Sequence, residues 1–98
     1  MLIIKKNGVD RLVARHGMGG TMEIFDIEVY SERGKGIGSE MLNELLIYCK
    51  KNRIKRVFAF TRIDNGLAEV FYERNNFVRH ELPRFYPDGD GVIYIKEI

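Results

Sequence analysis

Thr21-Met22-Glu23-Ile24-Phe25-Asp26-Ile27-Glu28-Val29-Tyr30 runs into Ser31-Glu32-Arg33-Gly34-Lys35-Gly36-Ile37-Gly38-Ser39, and the fold turns on this passage. Strict alternation puts Glu23, Phe25, Ile27 and Val29 on one face and Ile24, Asp26, Glu28 and Tyr30 on the other, which predicts a strand over 21–30. From Gly36 onward Ile37, Met41, Leu45 and Cys49 recur at four-residue steps with Leu42 and Leu46 beside them. That spacing predicts one long amphipathic helix, closed by the polar run Lys50-Lys51-Asn52-Arg53. Between strand and helix, three close glycines let successive N–H groups converge, and the first helical turn adds its own free N–H groups and the positive end of its dipole. Such a loop is a cradle for phosphate or pyrophosphate, with Arg33 and Lys35 supplying charge; the alternative is a glycine turn that only starts a helix. It is not the dinucleotide fingerprint, whose third glycine would fall at Ser39, nor a Walker loop, since no Gly-Lys-Ser or Gly-Lys-Thr occurs.

Working outward, Asn7-Gly8 between Leu2-Ile3-Ile4 and Arg11-Leu12-Val13-Ala14-Arg15 predicts a β-hairpin over 2–16. Beyond the long helix, Val57-Phe58-Ala59-Phe60 reads as a strand, and Leu67, Ala68, Val70, Phe71 and Tyr72 as a shorter helix. Two last strands, 78–85 and 92–98, are expected to flank a loop at Tyr86-Pro87-Asp88-Gly89-Asp90-Gly91. The fold class is α/β with a mixed sheet and two helices. At 98 residues the chain is expected to form one domain, 1–98. A net charge of +2 is far below the basic excess of a nucleic-acid binder, and no apolar run approaches a membrane span, so neither nucleic acid nor membrane is an expected partner. The single cysteine, Cys49, fits a cytoplasmic protein and reads as core. His16 and His80 lack partners with metal-ligand spacing, and Asp88-Gly89-Asp90-Gly91 lacks the later acidic ligand of a calcium loop, so no metal is expected.

A second segment, Asn65-Gly66-Leu67-Ala68-Glu69-Val70-Phe71-Tyr72-Glu73-Arg74-Asn75-Asn76-Phe77, adds to the first. Together they resemble the GNAT superfamily of acyl-CoA-dependent N-acetyltransferases: Arg33-x-x-Gly36-x-Gly38 matches its acyl-CoA motif, and Asn65, Ala68, Phe71, Tyr72 and Phe77 match its second stretch. The resemblance covers residues 21–98. Three departures accompany it. The chain is short on the side where the family shapes its acceptor pocket, only Tyr30-Ser31-Glu32 separate Val29 from Arg33, and Asn76 stands where glycine is usual.

The resemblance implies parallel central strands, 21–30 and 56–61, splayed around the pantetheine arm of acetyl-CoA. It implies that backbone groups of Ile27, Glu28 and Val29 pair with that arm and that amides of Arg33, Gly34, Lys35, Gly36, Ile37, Gly38 and Ser39 take the pyrophosphate. Asn65, Ala68, Phe71 and Arg74 complete the implied cofactor-binding set. Tyr72 would protonate the departing thiolate, its alternative being an ordinary core ring. Glu23, on the face of Ile27 by alternation, would be the general base, its alternative being a solvated surface carboxylate. The expected activity is direct transfer of acetyl from acetyl-CoA to a primary amine, and the rival is an acyl-CoA-binding or protein-interaction module without a working acceptor site. A homodimer is expected.

Overall fold

The computed structural model describes residues 1–31 and 36–98. Six strands and two helices follow in the order β1 (Leu2–Lys6), β2 (Asp10–His16), β3 (Thr21–Glu28), α1 (Ile37–Lys51), β4 (Arg56–Arg62), α2 (Gly66–Arg74), β5 (Val78–Tyr86) and β6 (Gly89–Glu97). They build one mixed sheet in the order β1-β2-β3-β4-β6-β5, in which β3 and β4 are the parallel pair. The expected hairpin is present: Asn7 (φ 54) and Gly8 (φ 73) take the left-handed conformation and bring Lys6 opposite Asp10.

Helix α1 is the crossover between β3 and β4. It buries Met41, Leu42, Leu45 and Cys49 against Leu12, Ala14, Met22, Ile24 and Val57, and α2 adds Tyr72 over Tyr94 of β6 in the same core. Both helices therefore cover one sheet face. Among the described residues the other face carries no helix, and it exposes Ile3, Phe25, Phe60, Val78 and Phe85.

Two irregularities correct the sequence reading. Val13 pairs Asp26 and Ala14 pairs Ile24, so Phe25 is an extra residue, a β-bulge in β3. The bulge resets the alternation: Ile24 and Ile27, opposite Ala14 and Leu12, both face the helices, while Glu23, Asp26 and Glu28, opposite Arg15, Val13 and Arg11, face away. Glu23 and Ile27 are therefore on opposite faces, not on one, and the strand ends at Glu28 rather than at residue 30. At the other end the broad 86–91 loop is a two-residue turn, Pro87-Asp88, with Gly89, Asp90 and Gly91 already in β6. The irregularity moves into β5 between Leu82 and Tyr86, where Arg84 adopts φ 57 and donates its N–H to Asp90 Oδ1 at 2.8 Å.

Candidate active site

Parallel pairing of β3 with β4 consists of Thr21 with Arg56, Met22 with Val57 and Glu23 with Phe58; beyond these the strands part. The parting opens a cleft of about 370 Å³, lined by Ile24, Phe25, Asp26 and Ile27 from β3, by Phe60 and Thr61 from β4, and by Asn65, Leu67, Ala68, Phe71 and Tyr72 at α2. Along β3 past Glu23, the backbone groups on the β4 side have no ladder partner in β4. An extended ligand carrying amides can satisfy them as a strand would.

Each helix is set by local chemistry. Asn65 caps α2, its Oδ1 accepting the Ala68 N–H at 3.1 Å, and this fixes the turn from which Tyr72 projects. Tyr72 stacks on Tyr94 at 4.9 Å and meets Phe77 edge-on at 5.0 Å. Burial, and then the charges of Asp26 and Tyr94, push its pKa up, so near neutral pH it is a phenol able to donate a proton. At α1, Gly36 caps the helix with φ 75 and its carbonyl accepts the Glu40 N–H at 2.9 Å. The first-turn N–H groups of residues 37–39 precede the intrahelical ladder and stand at the positive end of the dipole. Gly38 lies against α2: a Cβ there would sit 3.0 Å from Phe71 Cε1. Ser39 Oγ accepts from Asn75 Nδ2 at 3.2 Å, a second tie between the two helices.

Two aspartates sit at the edges of this arrangement. Asp10 is fully buried; its Oδ1 accepts the N–H of Tyr30 at 2.6 Å and of Ser31 at 3.0 Å, and its Oδ2 accepts from the Ser31 hydroxyl and from Asn7 Nδ2. The Ser31 hydroxyl, backed by these other donors against the cost of burial, holds its carboxyl down to about 2. Asp10 thus fixes the chain where it leaves β3. Asp26, in the cleft wall, has its pKa raised by burial and by the neighbouring Glu28 charge. Arg11 Nη2 lies 3.7 Å from Asp26, while Arg11 Nε donates to Glu28 at 3.0 Å.

The profile of the Acetyltransferase (GNAT) family matches residues 4–77, three quarters of the chain. The chain belongs to the GNAT acetyltransferase family. The match starts in β1, so the hairpin is part of the family domain, where the sequence resemblance began only at residue 21. Three GNAT-fold structures show the same architecture. Ard1 from Thermoplasma volcanium has a TM-score of 0.80 at 24% identity, over 94% of this chain and 66% of its own. A GNAT family acetyltransferase from Elizabethkingia anophelis with acetyl-CoA bound has 0.83 at 19%, over 96% and 72%. The ribosomal-protein-S18-alanine N-acetyltransferase from Escherichia coli has 0.78 at 20%, over 96% and 65%. The chain thus spans less than two thirds of the length of the first and third. Curated protein sequences yield no match.

Against this GNAT frame the expected site residues separate. Ile27, Asn65, Ala68, Phe71 and Tyr72 line the one cleft. Gly36, Ile37, Gly38 and Ser39 form the start of α1, tied to α2 beside that cleft. Arg33, Gly34 and Lys35 lie outside the described residues. Glu28 ends β3 bonded to Arg11, and Val29 packs on the core. Arg74 is exposed in the last turn of α2 and is not in the cleft wall. Glu23 stands at the closed end of the splay, its Oε1 bonded to Arg15 Nε at 2.8 Å, outside the cleft wall. Asp10 and Asp26 escaped sequence reading. Asp10 precedes an ordinary strand pattern with no local signal, and Asp26 looks like any exposed carboxylate until the bulge places it. Among the described residues no group of three His, Cys, Asp or Glu side chains is placed to hold a metal ion, and no helix is long and apolar enough to cross a membrane.

Proposed function

We propose that the chain is an N-acetyltransferase that moves an acetyl group from acetyl-CoA to a primary amine by direct transfer. The observation that carries this reading is the splay of β3 from β4 past Glu23 and Phe58, with Tyr72 in the wall of the resulting cleft. The β3 backbone at Ile27 and Glu28, unpaired towards β4, and that of Val29 just past the strand suit the amides of the pantetheine arm, and the start of α1 at Gly36 suits the pyrophosphate. Once its ammonium has lost a proton, the amine attacks the thioester carbon, β3 N–H groups meet the developing oxyanion, and Tyr72 protonates the thiolate. The bound acetyl-CoA of the Elizabethkingia anophelis neighbour and the alanine named for the Escherichia coli one support a donor and an acceptor of these kinds. The apolar side chains on the uncovered sheet face support a two-fold symmetric homodimer.

Binding is tested by melting. Acetyl-CoA at about a hundred times its Kd stabilises the fold by ~2.7 kcal/mol, a rise in Tm on the order of ten degrees. Gly36→Val abolishes the shift, because φ 75 is strained for a branched residue and its side chain stands where the phosphates approach. Identical melts with and without acetyl-CoA would overturn the proposal. Acetyl-CoA consumption with a panel of primary amines then separates a transferase from a module that only binds.

A further inference from the structure

The bulge at Phe25 turns the Asp26 side chain to the sheet face away from the helices, just past the point where β3 and β4 separate. Asp26 and Tyr72 line the same cleft, one from the open sheet face and the other from the helix face. We propose that Asp26 is the carboxylate that takes the proton from the acceptor amine, so that base and acid work from opposite faces of the sheet through the gap between its central strands. The proposal rests on the transferase reading above.

The choice between carboxylates is geometric. Glu23 lies on the closed, paired part of β3 and is bonded to Arg15 at 2.8 Å. Glu28 is held by Arg11 Nε at 3.0 Å, at the far end of the strand. Asp26 is the carboxylate in the cleft wall, and its cation, Arg11 Nη2, stands back at 3.7 Å, leaving acceptor capacity for an ammonium N–H. Burial and the Glu28 charge raise its proton affinity towards that of a useful base. The charged or titratable groups around it are Arg11 from β2, Glu28 from its own strand, Tyr30 just past that strand, whose phenol bonds Glu28, and Tyr72 from α2; β4 presents Phe60 and Thr61.

The protons balance. The ammonium N–H breaks and an O–H forms on Asp26, which later releases the proton to solvent. The nitrogen lone pair forms the C–N bond, and the C–S bond breaks with its electron pair on sulfur. Tyr72 gives its proton to that sulfur and recovers one through water from the nitrogen, which sheds its second proton as the amide forms.

The test compares wild type, Asp26→Asn and Arg11→Met with acetyl-CoA and three acceptors: spermidine, lysine methyl ester and an alanine-initiated hexapeptide, from pH 5.5 to about 9.5. Asp26→Asn keeps the side-chain volume. It is expected to keep the acetyl-CoA melting shift, to lose ~10²–10³-fold in kcat/KM for the amine at neutral pH, and to regain part of the loss as alkali deprotonates the amine in solution. Arg11→Met is expected to move the acid limb of the rate profile to higher pH, because removing the cation raises the Asp26 pKa further. Wild-type turnover matched by Asp26→Asn at every pH overturns the proposal alone, as does a loss that comes with a lost acetyl-CoA shift. A wild type that binds no acetyl-CoA, or acetylates none of the three acceptors, overturns the transferase reading and this proposal with it.

Discussion

Asp10 holds Ser31 through both carboxylate oxygens: Oδ1 accepts the Ser31 N–H at 3.0 Å and Oδ2 accepts its hydroxyl. The two residues lie 21 positions apart, and Asp10 is fully buried, so the contact joins the first hairpin to the exit of the third strand without water. Replacing the carboxylate by an amide turns one acceptor oxygen into a donor facing donors. Asp10→Asn is expected to lower Tm at pH 7 by on the order of ten degrees. The pH dependence follows from the depressed pKa, about 2 against an ordinary 3.8. The carboxylate's contribution is fully present above pH 3.8 and is lost as pH falls through about 2, so the gap in Tm between wild type and variant should narrow across that window. Melts by circular dichroism between pH 7 and about 2 check both statements.

Asn65 Oδ1 is already spent on the Ala68 N–H. Asn65→Ala should therefore cost ~1 kcal/mol, or about 4–8 °C in Tm, while Asn65→Asp, which caps as well, should cost little. Acetyl-CoA affinity, measured by calorimetry, is expected to change less than stability does. A large loss of affinity at unchanged Tm would assign Asn65 to the ligand rather than to the helix.

Tyr72→Phe keeps the ring that stacks on Tyr94 and removes only the hydroxyl. With Tyr72 as proton donor, turnover with an accepted amine falls roughly 10²–10⁴-fold while the acetyl-CoA melting shift survives. Because burial raises the phenol pKa, wild-type turnover should show no alkaline loss from this group below its ordinary value of 10.0. Turnover at the wild-type rate in the variant reduces Tyr72 to a core ring.

Cys49 is buried on α1, and burial pushes its thiol up to about 11. At pH 8 the native thiol should be almost unreactive towards a disulfide reagent, and unfolding in guanidinium should release one full equivalent of reactive thiol. Rapid labelling of the native protein would show that α1 opens from the sheet.

The features legible in the chain are those decided by neighbours a few residues apart. Asn7-Gly8 accepts positive φ twice and so makes the hairpin, the four-residue steps from Ile37 to Cys49 make α1, and Asn65 placed before Ala68 makes the cap of α2. Asn76 accepts φ 66 where the family favours glycine, because asparagine tolerates the left-handed region. The two family motifs are local for the same reason: a glycine loop and a capped helix are each specified within one or two turns of chain. The β-bulge is different. Nothing in Ile24-Phe25-Asp26 announces it, since it arises where β2 and β3 must keep both Leu12 opposite Ile27 and Ala14 opposite Ile24 against the helices, and the register absorbs one extra residue. That shift sends Asp26 to the open face and separates Glu23 from Ile27. The short Pro87-Asp88 turn was likewise settled by pairing, with Gly89 of β6 opposite Tyr86 of β5 and Gly91 held between Leu82 of β5 and Arg62 of β4. Asp10 depends on long-range pairing in the same way, because its carboxylate becomes a buried acceptor only when chain 20 and 21 residues away delivers the Tyr30 and Ser31 donors. Short-range propensity wrote the elements and the motifs; long-range strand register, set by burial of one sheet face, decided which carboxylate meets the cleft.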